Sequence, residues 1–326
     1  MTGTMTSSEW VEAIDKHYLA DYIPGGGSTV KFIACGPGVQ QQVVAESLRA
    51  RAEQRGLFVA SVDAAVTRVH MIEHLVGRIC DQVPWRFLVD NVLARFARSN
   101  HWKVPDRFSE DGVVEQLDQL NGLGMAQISL ELQRQISTEI LLNRRLSREF
   151  RLAVHWLSRS RLKSGPDGDN VRRDLTDWLG GRTRLISELR RFEIFTKINR
   201  SNARNVFGSL LQWVREAGFP GLVANLDCYR LLATDRRIDG SINYTNAAVL
   251  DAYQVLREFI DTTDELDGFM LNVFVPMEFI NPDMKSRGLG KYSALFDRVY
   301  DGVRDRVLAN PMSALMRIAE LTEVAA

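Results

Sequence analysis

The stretch at 28–63 decides the fold. It consists of the apolar run STVKFIAC (28–35), the turn GPGVQ (36–40), an amphipathic pattern (41–56) and the apolar run LFVASVD (57–63). This pattern predicts a strand, a glycine-bearing turn, a helix and a second strand. Such a turn brings backbone N–H groups and a helix N-terminus together, which favours an anion. The stretch therefore has the outline of a P-loop.

The residues that give a P-loop its chemistry are missing. A working loop has the pattern G-x-x-x-x-G-K-[ST], in which Lys neutralises phosphate charge and Ser/Thr binds Mg²⁺. If the first position is Cys35, the other fixed positions fall on Gln40, Gln41 and Gln42. If the first position is Gly36, the other fixed positions fall on Gln41, Gln42 and Val43, which still include no cation and no magnesium ligand. We therefore expect tight binding of Mg-ATP to be lost.

Two interpretations of the turn remain open. Gly36 and Gly38 allow close approach of the backbone, so the turn could hold a small anion or bind ATP or ADP weakly. It could equally be an ordinary connection without a ligand. We expect no tightly bound cofactor.

A second ATPase motif, the strand that would orient Mg²⁺, has also lost one of its expected residues. The run at 222–227, LVANLD, predicts a buried parallel strand that ends in Asp227. In ATPases such a strand carries an Asp that orients Mg²⁺, and the next acid polarises the attacking water. Cys228 stands in the place of that second acid. This predicts that Asp227 is a vestigial catalytic residue, although an Asp at the end of a buried strand is often only a helix cap or turn residue.

Composition excludes several classes of protein. Lys plus Arg equals Asp plus Glu at 41 each, so charge-driven binding must be local. The three cysteines are far apart, which indicates neither a disulfide framework nor a zinc ribbon, and the pattern HMIEH (70–74) has no convincing third ligand. No metal site is predicted.

The N-terminus lacks the features of a signal peptide and no apolar stretch approaches about 18 residues, so we expect a cytoplasmic protein without a membrane segment.

Strands alternate with helices along most of the chain, which predicts an α/β fold with a mainly parallel sheet covered by helices and a large all-helical insertion. The clearest loop is predicted at 165–169, and two helices at 292–307 and 312–320 complete the chain. The predicted regions are an N-terminal helix with a Gly-rich entry (1–27), the first half of the α/β domain (28–108), the helical insertion (109–164), and the second half with C-terminal helices (165–326).

One region is locally basic. Between Arg144 and Arg191 the chain has 13 Lys/Arg residues against six acids. A helical pattern predicts that Arg145, Arg148 and Arg151 share a face that could contact phosphates. A solvated face or a protein interface fits the same pattern.

Several stretches together resemble the ATP-binding proteins of BREX-type bacteriophage-exclusion systems, a branch of P-loop ATPases related to AAA+ proteins. The similar stretches lie at 21–33, 217–227, 249–257 and 287–295. The resemblance implies a P-loop NTPase fold of the AAA+/ASCE type. It also implies that Gln41 and Gln42 occupy the positions of the P-loop Lys and Thr, and Cys228 that of the second acid.

The same resemblance suggests three further residues. Arg287 and Arg298 lie where such ATPases place arginines that sense nucleotide or reach a neighbouring subunit, although pairing with nearby acids fits equally well. Asn272 resembles a polar sensor residue in the middle of a strand.

We therefore expect a pseudo-ATPase that serves as a structural or regulatory subunit of a multi-protein complex, in anti-phage defence. Its expected partners are an active ATPase paralogue or other defence-system subunits, in a homo- or hetero-oligomer. One alternative is a DNA-binding module that uses the region Arg144–Arg191. Another is a residual ATPase that a partner subunit completes.

Overall fold

The protein is described by a computed structural model over residues 4–109, 112–163, 165–281, 287–300 and 310–320. Its internal contacts divide the chain into two units, Met1–Leu75 with Phe219–Ala326, and Val76–Gly218.

The first unit is built on a five-stranded parallel sheet. The strands are β1 (Ser28–Cys35), β2 (Phe58–Asp63), β3 (Leu222–Asp227), β4 (Phe269–Pro276) and β5 (Leu315–Ile318). Their order in the sheet is β2-β3-β4-β1-β5, and every pair is parallel. β4 therefore separates the strand before the glycine turn from the strand that ends in Asp227.

The strands are nearly continuous apolar runs because both faces of the sheet are covered. The α-helices, numbered along the chain, are α1 (Ser7–Ile14), α2 (Gln41–Gln54), α3 (Ile72–Cys80), α4 (Trp85–Ser99), α5 (Val113–Asn121), α6 (Met125–Gln135), α7 (Arg148–Arg161), α8 (Pro166–Leu179), α9 (Ala203–Glu216), α10 (Tyr229–Leu232), α11 (Asn246–Asp261) and α12 (Ser293–Val299). Shorter 3-10 or π segments lie at Asp15–Tyr22, Ile136–Ile140, Ile186–Phe192, Thr263–Glu265, Met277–Ile280 and Leu289–Lys291.

One core of the first unit lies between the sheet and the two N-terminal helices. Trp10 and Ile14 of α1 and Leu48 of α2 are fully buried there, in a cluster with Phe274 of β4. This packing fixes α2, and with it the turn that precedes α2, against the sheet. No helix within the described residues is long and apolar enough to cross a membrane.

The second unit is helical and contains α4 to α9, and the predicted insertion at 109–164 lies within it. A buried ion pair joins two of its helices: the Arg161 guanidinium of α7 donates to both carboxylate oxygens of Asp90 of α4, at 2.6 and 3.1 Å. Because both charges are buried, each depends on the other for compensation.

The prediction of a final helix at 312–320 is wrong. Leu315–Ile318 forms β5, which pairs in parallel with β1 at the edge of the sheet. A short apolar run does not distinguish a strand from a helix. The tertiary contacts decide the matter: the buried Lys31 ammonium of β1 donates to the carbonyl oxygens of Met312 at 2.6 Å and Ser313 at 3.1 Å. Of the helix predicted over 292–307, Ser293–Val299 is helical and 301–309 lies outside the described residues.

The loop predicted at 165–169 is also wrong for most of its length, because α8 begins at Pro166. Proline is favoured in the first turn of a helix, where its missing N–H would have no partner. Asp167 and Asp169 add negative charge to that turn and favour the helix dipole. These residues are therefore signals of a helix start.

Candidate functional site

The turn between β1 and α2 uses part of its backbone internally, because the N–H of Gly36 donates to the carbonyl of Ile318 at 2.8 Å and that of Val39 to the carbonyl of Gly36 at 3.2 Å. Gly38 has φ +84°, a conformation that favours glycine, and a Cβ atom there would meet nothing within 4 Å. Gln40 precedes α2 and makes no side-chain cap. The first N–H groups of α2 therefore have no capping side chain, as in helix N-termini that bind anions.

Gln41, which the family resemblance aligns with the P-loop lysine, lies at the first position of α2. Gln41 is 8% exposed, and its Nε2 donates a hydrogen bond to Oδ2 of Asp227 at the end of β3. Its Oε1 is buried and has no hydrogen-bond partner among the described residues. An acceptor atom in this position repels a phosphate oxygen. Gln42, one residue further, is exposed.

Asp227 is held in an environment that favours its protonated form. Burial raises the pKa of this carboxyl to about 6, although the N–H of Tyr229 donates to its Oδ1 at 2.9 Å and opposes the rise. The nearby Asp63 adds a smaller rise. Asp227 is therefore a weak ligand for Mg²⁺ below about pH 6, since a protonated carboxyl binds cations poorly.

Cys228 does not replace the second acid. Its side chain is 1% exposed, and burial raises the pKa of its thiol well above the ordinary value. The backbone N–H of Cys228 donates to the carbonyl of Phe274 at 2.9 Å, which ties the residue to β4. A buried neutral thiol is a poor proton acceptor, so it does not activate water.

Asp63 is a residue that the sequence analysis missed. It ends β2, and in the sheet it lies directly opposite Asp227 of β3. Its Oδ1 accepts a hydrogen bond from the N–H of Ala65 at 2.7 Å. The signal was available, because both apolar strands end in aspartate. Only the strand order shows that the two strands are neighbours.

Asn272 belongs to a buried amide network. Its side chain is fully buried, and its Nδ2 donates to Oδ1 of Asn225 on β3 at 3.0 Å. Asn225 in turn donates to the carbonyl of Ala45 in α2 at 3.3 Å. Asn272 therefore connects β4, through β3, to the helix that follows the turn. Its role as a sensor stays a prediction.

Arg287 is engaged inside the first unit. It is 7% exposed, and its guanidinium donates to the carbonyls of Leu231 at 3.2 Å, Tyr244 at 2.8 Å and Ala233, and to Oδ1 of Asn246 at 3.1 Å. These bonds hold the segment between β3 and α11. Such a guanidinium acts as a structural clamp, because these bonds engage four of its five N–H donors.

Arg298 lies on the surface of α12. Its Nε donates to Asp261 at the end of α11, and its Nη1 to the carbonyl of Ala294 at 2.7 Å. The acid that pairs with Arg298 is therefore Asp261, which is close in space but distant in sequence. About a third of the Arg298 side chain is exposed, so it remains accessible.

The structure separates the arginines of the basic region. Arg144, Arg145 and Arg148 are exposed and form no ion pair with any described carboxylate. Arg151 instead donates to the carbonyl of Leu141 at 3.0 Å. Of these four arginines, the first three therefore present guanidinium groups to an anionic partner.

The sheet, the glycine turn and the aspartate that ends β3 together define a P-loop-type α/β protein. The chain belongs to a family within that class: the model of the BREX system ATP-binding protein BrxC/D matches residues 110–325. The match includes Asp227, Asn272, Arg287 and Arg298 but begins after the glycine turn. No curated protein and no solved structure matches the chain.

The residues of this chain do not fit Mg-ATP. The turn provides backbone donors, but Gln41 places a neutral amide where the Lys charge is needed and uses its donor on Asp227. A neutral amide does not balance the charge of a triphosphate. Among the described residues, no group of three or more His, Cys, Asp or Glu side chains could hold a metal ion.

Proposed function

We propose that this protein is a catalytically degenerate P-loop ATPase-like subunit, a pseudo-ATPase, of a BREX defence complex. Its role is structural or regulatory, beside an active ATPase paralogue or another subunit, in the cytoplasm. Family membership supports the defence role. The observation that carries the proposal is the hydrogen bond from Gln41 to Asp227, because it joins the two positions that should hold phosphate and Mg²⁺ through an amide that has no positive charge.

The proposal leaves the turn a limited binding capacity. Backbone N–H groups at the start of α2 can hold a small anion or ATP weakly, without magnesium and without hydrolysis. A ligand present at 100 times its Kd would add about 2.7 kcal/mol to stability, which would raise the Tm. Because Mg-ATP does not bind tightly in this proposal, adding magnesium to the purified protein with ATP should not raise the Tm, and no phosphate should be released. A magnesium-dependent rise with turnover would reject the proposal.

A partner could still complete the site. If a second subunit supplies the missing cation, ATP turnover should appear only in the reconstituted complex and should disappear in an Asp227→Ala variant. Turnover that survives Asp227→Ala would come from the partner alone, and the pseudo-ATPase proposal would stand.

A second candidate function is DNA binding by the helical unit. It is supported by the exposure of Arg144, Arg145 and Arg148 and by their freedom from described carboxylates. Binding of duplex DNA should then fall steeply with salt, and an Arg145→Gln/Arg148→Gln variant should reduce the slope by about 2. No binding at about 50 mM salt would exclude this function.

A further inference from the structure

A separate cavity of about 810 Å³ lies within the helical unit. Its wall is formed by the end of α3, the first turn of α4, the segment 107–109 and one side of α8. Cavities of this size are typical of sites for small molecules. Its lining residues include neither the glycine turn nor the exposed arginines Arg144 and Arg145.

The wall carries more positive than negative charge. Five arginines and three aspartates line the cavity: Arg86, Arg107, Arg172, Arg173, Arg182, Asp81, Asp90 and Asp169. Each aspartate already has an arginine partner, in the pairs Asp81–Arg182, Asp90–Arg161 and Asp169–Arg172. One of these partners, Arg161, lies outside the cavity wall. Arg86 also has partners, since it lies 3.8 Å from Asp90 and donates to the carbonyl of Ser109 at 2.7 Å. The excess of positive charge on the wall therefore rests on Arg107 and Arg173.

Two arginines account for most of the excess. Arg107 is exposed and makes no ion pair with a described carboxylate. Arg173 is 3.8 Å from Asp174, but Asp174 is held at 2.6 Å by Arg191. Both guanidinium groups line this cavity, and the described residues provide few carboxylates to balance their charge, so they favour an oxyanion.

The same cavity has aromatic walls. Phe87 is 38% exposed, and Trp85 and Phe108 line the cavity beside it. Phe87 and Trp85 belong to the first turn of α4, where the helix dipole adds positive potential and Pro84 provides no side-chain cap. An exposed ring next to arginines suits a ligand that has a flat ring and a phosphate.

We propose that this cavity binds a phosphorylated small molecule with a planar ring, of the mononucleotide class. Arg107 and Arg173 contact the phosphate, and Phe87 contacts the ring. Binding needs no magnesium, because arginine provides the positive charge. The proposal goes beyond the proposed function, since it places a ligand in the helical unit and requires nothing of the glycine turn.

The test is isothermal titration of ATP into the full chain in EDTA, with pyrophosphate and adenosine as separate probes. Wild type should bind ATP more tightly than either fragment. The Arg107→Gln/Arg173→Gln variant should lose affinity by about tenfold or more, since each lost charged contact has a cost of that order. Phe87→Leu should weaken ATP but not pyrophosphate.

A matched control removes the same charge from the same unit, in an Arg144→Gln/Arg145→Gln variant. It should bind ATP in EDTA as wild type does. No binding to wild type at millimolar ATP would overturn the proposal. So would equal losses in both double variants, which would indicate a general charge effect, or unchanged binding in Arg107→Gln/Arg173→Gln, which would assign the ligand to the glycine turn. Magnesium-dependent turnover would instead contradict the proposed function and leave this inference intact.

Discussion

The side-chain amide of Gln41 donates to the carboxylate of Asp227, across the gap between the start of α2 and the end of β3. In a working P-loop ATPase these two positions carry a lysine for phosphate and an aspartate for magnesium. In this protein the amide of Gln41 and the carboxylate of Asp227 are instead hydrogen-bonded to each other. The contact preserves the packing of α2 on the sheet without the positive charge that a P-loop lysine would provide.

Restoring the lysine should restore part of the anion affinity. In Gln41→Lys, the ammonium group lies beside Asp227 and the phosphate cradle, so the affinity for pyrophosphate should rise about tenfold. The new cation should also lower the pKa of Asp227 from about 6. Titration calorimetry checks the affinity. The matched control is Gln42→Lys, which adds the same charge at an exposed position; an equal gain there would contradict the assigned role of position 41.

Asp227→Asn should stabilise the protein at neutral pH. The folded carboxyl has a pKa of about 6 against a model-peptide value of 3.8, so the folded state binds the extra proton between these values. Stability from this group therefore falls as pH rises from about 4 to 6, and the loss persists above pH 6. Asparagine avoids the loss, with an expected gain of about 1–3 kcal/mol at pH 7.5.

Urea unfolding at pH 4, 6 and 7.5 measures this effect. The difference between Asp227→Asn and wild type should grow between pH 4 and 6 and then stay level. Asp63→Asn should give a smaller change in the same direction, because Asp63 contributes only part of the pKa rise. A wild-type protein that is more stable than Asp227→Asn at pH 7.5 would argue against a strained, buried carboxylate.

Lys31 should control the docking of β5. Its ammonium is 3% exposed and donates to the hydroxyl of Tyr18 at 2.7 Å and to the carbonyls of Met312 and Ser313. Lys31→Met leaves these acceptors without a donor, at a cost of about 1–3 kcal/mol. Hydrogen exchange of the N–H groups in Leu315–Ile318 should become faster.

The same variant should lose a dependence on pH. Burial lowers the pKa of Lys31 from 10.5 to about 8, so the folded state binds fewer protons between these values and wild-type stability rises with pH there. Lys31→Met should remove that rise. The exposed Lys16 offers a control, and Lys16→Met should leave both the exchange and the pH dependence unchanged. Equal exchange rates in wild type and Lys31→Met would show that β5 docks independently.

Substitution of Arg287 should reduce the stability of the protein more than substitution of Arg298. Arg287→Ala leaves several buried carbonyls without donors and should reduce the free energy of unfolding by about 2–4 kcal/mol. Arg298→Ala removes a partly exposed ion pair with Asp261 and should reduce stability much less than Arg287→Ala does. Urea unfolding compares them. Similar small costs would favour a role for Arg287 in binding over its role as a clamp.

The sequence was sufficient to predict the α/β class and the elements around the glycine turn, because long apolar runs and glycines have strong local signals. It was insufficient for β5, where four apolar-rich residues are compatible with either structure and pairing with β1 decides. The Gln41–Asp227 contact also escaped prediction, since it joins residues 186 positions apart and depends on strand order. The family resemblance suggested that Arg287 senses nucleotide or reaches a neighbouring subunit. Its carbonyl partners are visible only in the fold.

The most direct test of the central claim is phosphate release from ATP by the purified protein in magnesium, compared with the same assay on Asp227→Ala. The closed Gln41–Asp227 contact predicts that both proteins release phosphate at the buffer rate. Magnesium-dependent turnover by wild type that is lost in Asp227→Ala would show that the site works with glutamine in the place of lysine, and would contradict the pseudo-ATPase account.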